Sequence, residues 1–151
     1  MIRLLFLSHP SSNEPPMSVY LMSHFIEQAH LESRISVASA SLTKKVQSIC
    51  EDGKTTLKNH HIPLPPLRHF PLAWKSYEEY DFILPTDSTQ ENQLFNTIGG
   101  DIDEKIHPLS TYSTIATPIP NPYETKNWEE TFQASEMACQ GLLKKLVSWI
   151  R

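Results

Sequence analysis

The segment that most restricts what this chain can become is its start. Ile2–Leu7, IRLLFL, is short, dominated by apolar residues and closed by a polar loop holding Pro10, Pro15 and Pro16. A strand of that kind is buried on both faces, so it belongs in a sheet that helices cover on each side. Met17, Tyr20, Leu21 and Phe25 then recur at helical spacing, predicting a helix from about Pro16 to His30. Two prolines at its entrance suit a first turn whose N–H groups have no partner within the helix. The unit is strand, loop, helix, an arrangement that can present backbone N–H groups to an anion.

The remainder continues the alternation. Arg34–Ala40 reads as a second strand, Thr43–His60 as a helix broken near Asp52-Gly53, and Tyr80–Leu84 as a third strand. Ser88 is placed to cap a helix reaching about Thr97, Gly99-Gly100 forms a turn, and Lys105–Leu109 is a candidate fourth strand. Two proline-rich stretches, IPLPPLRHFPLAW and TPIPNPYETKN, are predicted to be irregular. Asn127, three residues before Glu130, opens the last helix. Its apolar face is Phe132, Cys139, Leu142, Leu143, Leu146, Trp149 and Ile150. The expected fold is an α/β three-layer sandwich with a central four-stranded parallel sheet, one domain over residues 1–151. Ligands of such sheets sit at the carboxyl ends of strands, where Ser8–Pro16 lies.

Composition excludes several classes. A net charge of −4 gives no electrostatic reason for a nucleic acid or an anionic membrane as partner. No apolar run approaches the roughly 20 residues that cross a bilayer. The first ten residues lack a cleavage site and read as strand rather than leader, so a cytoplasmic protein is expected. Cys50 and Cys139 lack CxxC spacing and are expected to be buried, reduced thiols. His60, His61 and His69 have no ligand spacing, so neither metal nor cofactor is expected.

Four separate stretches carry a resemblance. FLSHPSSNEPPMS aligns without gaps with a C-x5-R-[ST]-P-M phosphate loop, with Ser8 at the cysteine, Glu14 at the arginine and Pro15 at the Ser/Thr. KNHHIP (58–63), YDFILPTD (80–87) and IPNPYE (119–124) resemble a Lys-His-Gly-Ile-Pro helix end, a Tyr-Asp-x-Ile-Leu-x-Met-Asp strand and an Asp-Pro-Tyr acid loop, with Asn121 at the aspartate. Over nearly its whole length the chain resembles the low-molecular-weight protein tyrosine phosphatases, a bacterial cytosolic protein fitting best.

The resemblance implies a thiolate nucleophile, an arginine clamp and a general acid, and this chain replaces all three. The Ser8 hydroxyl ionises far less readily than a thiol. An arginine at position 14 would clamp two phosphate oxygens, whereas a carboxylate repels them. At about 4 Å and an effective dielectric near 20, each like-charge pair costs about 4 kcal/mol. Against a dianion, with the lost attraction added, the swing is on the order of 10 kcal/mol. Pro10 and Pro15 have no N–H to give the anion, and the Asn121 amide is not an acid. The thioredoxin-coupled arsenate reductases of the same fold need a loop cysteine and resolving cysteines, and Cys50 and Cys139 stand at neither.

The sequence therefore reads as a pseudophosphatase with a regulatory or binding role. The alternative is a residual phosphomonoesterase using Ser8. Ser8, His9, Ser11, Ser12, Asn13, Glu14 and Tyr123 form the candidate ligand set, and Ser8, Glu14 and Asn121 are the vestigial catalytic positions. Trp74, Tyr77 and Tyr80 are aromatics near that segment. A protein partner or a small non-phosphate ligand is expected, with Glu14 favouring a cationic one, and the molecule itself is expected as a monomer or weak homodimer.

Overall fold

A computed structural model of the chain describes residues 1–9, 12–114 and 118–150. Strand β1 (Ile2–Leu7) lies at the centre of a four-stranded parallel sheet with β2 (Ile35–Ser41) on one side and β4 (Phe82–Leu84) on the other; β3 (His69–Pro71) extends the sheet beyond β2. Leu5 pairs with Ala38 across one ladder and with Ile83 across the other.

The pleat sorts β1 into two cores. Leu4 and Phe6 face helices α1 (Met17–Gln28), α2 (Glu51–Asn59) and α6 (Trp128–Ile150), contributing to a cluster with Leu21, Met22, Leu57, Phe132 and Leu142. Leu5 and Leu7 face α3 (Ser76–Glu79) and α4 (Ser88–Ile98), packing with Ala38, Ala40, Tyr77, Tyr80 and Leu94. Helices on both faces make the three layers expected from the apolar run.

The fourth strand comes from a different place than the sequence suggested. Lys105–Leu109 contributes one isolated bridge, Ile83 to Ile106, before Pro108 and a 3-10 turn at Leu109–Tyr112 end it. The supposedly irregular stretch instead supplies β3, whose last residue is Pro71. An edge strand leaves half its backbone groups outside the ladder, so a proline fits there without loss of a ladder bond.

Other boundaries shift for local reasons. Thr43–Cys50 is not helical, and Asp52-Gly53 lies in the first turn of α2 instead of breaking a longer helix. A Cβ on Gly53 would sit 2.9 Å from Ile49 Cγ1 and 3.1 Å from Trp128 Cζ3, so the glycine permits close packing. Asp87, not Ser88, caps α4, its Oδ1 accepting from Gln90 N at 2.8 Å. The loop after Pro118 contains a short helix, α5 (Pro122–Thr125). Asn127 behaves as anticipated, its Oδ1 accepting from Glu130 N at 3.0 Å. On the face predicted for α6, Phe132, Cys139, Leu142 and Leu146 are buried, while Trp149 is largely exposed and stacks on Phe82.

Candidate functional site

The loop after β1 sits at the carboxyl end of the central strand. Three of its N–H groups turn inward on the loop itself. Ser12 N and Asn13 N donate to the His9 carbonyl at 3.0 and 3.5 Å, and Glu14 N donates to Ser12 Oγ at 3.3 Å. Ser8 N stays in the ladder, donating to Ala40 O. A nest for an anion needs such groups free and convergent. Here those of Ser12, Asn13 and Glu14 are spent within the loop.

Glu14 is 7% exposed and held from both sides. Its Oε1 accepts from Cys50 N at the amino end of α2, and its Oε2 accepts from Tyr123 OH at 2.7 Å. Among the described residues no lysine, arginine or histidine forms an ion pair with it. The positive end of the α2 dipole and two donors stabilise the charge instead. Burial first, and then the bond to Glu14, push the Tyr123 phenol well above its ordinary range, so it stays protonated and donating. Burial and the nearby carboxylate likewise raise the Cys50 thiol. Cys50 is partly exposed rather than buried, whereas Cys139 is buried as expected, its Sγ 3.5 Å from Ser18 O. One carboxylate thus ties together three segments: the β1–α1 loop, the start of α2 and α5.

Asn13, in the left-handed region at φ 59, turns away from the pocket. Its Oδ1 accepts from Ser41 Oγ at 3.0 Å and Thr43 Oγ1 at 2.6 Å, and its carbonyl accepts from Gln47 N. That carbonyl also receives a bond from His69 Nε2 at 2.9 Å, which makes Nε2 the donor and leaves Nδ1 facing Ser39 Oγ at 2.7 Å. Residues 43–50 are therefore occupied in wrapping the loop, which explains why they do not continue α2.

Ser8 is fully buried, and its Oγ has no hydrogen-bond partner among the described residues. The His9 ring is edge-on to Tyr123 at 6.0 Å, and its Nδ1 lies 3.5 Å from Gln90 Nε2. Burial lowers the His9 pKa, with Asp87 partly opposing. Gln90 was not signalled by the sequence. Fully buried, it accepts from Thr86 N and donates to Ser8 O at 3.1 Å, anchoring the loop to α4. Asn121 spends its Oδ1 on Tyr123 N at 3.0 Å, capping α5.

His9, Ser12, Glu14 and Tyr123 line one cavity with Thr86, Trp128 and Thr131, and the space left in it amounts to about 10 Å³. Ser8 and Asn13 do not line it, and Ser11, like Pro10, lies outside the described residues. Trp128, 5.2 Å from Tyr123, is the aromatic neighbour the sequence did not single out. Trp74, Tyr77 and Tyr80 are elsewhere, Tyr80 stacked on Phe70. His60 bonds Glu129 and stacks on Phe132 at 3.8 Å. Among the described residues no cluster of three potential ligands is arranged for a metal, and no helix is long and apolar enough to cross a membrane.

Comparison with known proteins agrees with this architecture. The structure superposes on that of YfkJ from Bacillus subtilis with a TM-score of 0.89 at 22% identity, covering 100% of this chain and 98% of that one. For a protein tyrosine phosphatase from Entamoeba histolytica, solved with Hepes in its active site, the TM-score is 0.86 at 20% identity, with both chains fully covered. In sequence, the low molecular weight protein-tyrosine-phosphatase PtpA of Staphylococcus haemolyticus is 24% identical over 98 residues, which span 64% of this chain and 62% of that relative. The family model for low molecular weight phosphotyrosine protein phosphatases matches residues 3–149. With a parallel sheet, a loop at the carboxyl end of its first strand and that match across both, the chain belongs to the low molecular weight phosphotyrosine protein phosphatase family.

Proposed function

We propose that this chain is a non-catalytic member of its family, acting by binding a partner. The observation that supports this most is the Glu14 carboxylate, buried where the family motif has its clamping arginine and engaged by Tyr123 OH and Cys50 N. A phosphate dianion brought to that carboxylate meets repulsion on the order of 10 kcal/mol relative to an arginine-bearing loop. Among the described residues no base bonds Ser8 Oγ, and Asn121 is committed to a helix cap. A cavity of about 10 Å³ also disfavours a small ligand, since small-molecule sites run roughly 300–1,000 Å³. The role that remains is recognition of another protein by the surface of the fold.

Hydrolysis of an aryl phosphate from acidic to neutral pH, compared with Ser8→Ala, tests this. Neither protein is expected to turn over substrate above background. Turnover by the wild type that disappears in Ser8→Ala would establish Ser8 as a nucleophile and overturn the reading.

A further inference from the structure

We propose that the surface formed by Trp74, Ile98 and Ile102 docks a basic polypeptide segment carrying one large apolar side chain. It shares no residue with the loop cavity and does not depend on whether that loop is catalytic.

Single exposed apolar residues are common and need no explanation. What distinguishes Trp74 and Ile102 is the construction beneath them. Ile102 is 91% exposed and Trp74 60% exposed. The turn that projects Ile102 is fastened on either side. Asp101 Oδ1 accepts from Tyr77 OH at 2.6 Å and Lys105 N at 2.7 Å, and its Oδ2 accepts from Ile106 N at 3.2 Å. Tyr77 OH in turn accepts from Asp103 N at 2.7 Å, and Lys105 Nζ donates to Tyr77 O at 2.7 Å. Burial opposes ionisation of Asp101, but these donors outweigh it and hold the carboxyl below its usual range. Gly99 and Gly100, at φ 90 and 151, supply the backbone reversal that begins the turn. A turn whose backbone is already fastened loses little conformational freedom when its apolar side chain is covered, which favours its use as a contact.

Size and charge select the occupant. The cleft between Trp74, Tyr77, Ile98 and Ile102 measures about 200 Å³, below the roughly 300–1,000 Å³ of small-molecule sites. It suits an inserted side chain better than a free ligand. Glu78 lines it, and Glu79, Asp103 and Glu104 are exposed in the adjoining helix and turn. Lys105 is turned inward, which among the described residues leaves Lys75, over the Trp74 ring at 5.8 Å, as the cation at the rim. A second copy of this chain would oppose carboxylates to carboxylates. Lysine or arginine on the partner complements them.

The test is an NMR titration of the Trp74 indole N–H at low salt. Its probe is a short synthetic peptide with one tryptophan flanked on both sides by lysines, and its control has glutamates in their place. The lysine peptide is expected to shift that resonance and the control is not. Ile102→Ser, at a side chain outside the hydrogen-bonded scaffold, should weaken binding about tenfold. Glu78→Lys should weaken it too, with less dependence on salt. Absence of lysine-peptide binding, equal binding of both peptides, or equal affinity of wild type and Ile102→Ser would overturn the proposal. So would self-association of the protein alone that Ile102→Ser abolishes, because the surface would then be a homotypic interface.

Discussion

Glu14 serves as a structural acceptor at the junction of three segments. A carboxylate left alone in the interior is expensive, and two donors with a helix amino end offset that cost. Glu14→Gln keeps the shape but turns one acceptor into a donor facing Tyr123 OH or Cys50 N. It should destabilise by about 2 kcal/mol, within the range for a lost charge-assisted bond. In a Tyr123→Phe background the cost should shrink, and chemical denaturation of the four proteins measures the coupling. His9 supplies a pH dependence. Its folded pKa lies below the unfolded value, so it contributes stability that is present above the unfolded pKa and lost as pH falls through the folded one. Unfolding free energies measured from neutral to mildly acidic pH should decline less steeply in His9→Gln; identical slopes would remove His9 as a contributor. The departures at Ser8, Glu14 and Asn121 were legible because a motif gave each an expected identity. The bond between Glu14 and Tyr123 was not, since 109 positions separate the two and no local pattern links them.

Among the elements, those with internal signals were the readable ones. Ile2–Leu7 and the opening of α6 came directly from the apolar run and the Asn127–Glu130 spacing. The region after β2 departs from the helix expected over Thr43–His60 because Thr43, Gln47 and Cys50 bond Asn13 and Glu14, which lie on another element. Strand β3 is hidden by its Pro71 and the prolines ahead of it, which mark an edge as readily as a loop. Helix α6 also carries a constraint that helical propensity would miss. A Cβ on Gly141 would stand 1.8 Å from the Tyr112 carbonyl oxygen, so α6 and the Leu109–Tyr112 turn are packed backbone to backbone. Alanine is the better helix former by about 1 kcal/mol, yet the clash with fixed backbone should dominate. Gly141→Ala is expected to lower stability by about 2–3 kcal/mol, as overpacked sites do. A thermal melt at or above the wild-type midpoint would show that the turn yields.

At the scale of the molecule, scattered short matches fixed the fold more securely than any single element. The loop, the helix end ahead of Pro63 and the strand within the 80–87 stretch each fall where a parallel sheet needs them. What pattern alone left open was the sheet's margin. On one side β3 directs Arg68 O and Leu72 N toward β2, so alternation turns the backbone of His69 and Pro71 outward. On the other side Lys105 O and His107 N face β4, and Ile106 and Pro108 turn outward. Pro71 and Pro108 have no N–H, and that of Ile106 is taken by Asp101. The β3 margin thus keeps only the His69 N–H as an outward donor among the described residues, and the Ile106–Pro108 margin offers none of its own. Crowded copies of this protein find fewer donors along these edges than a full strand would offer, which lowers the tendency of sheet to join sheet.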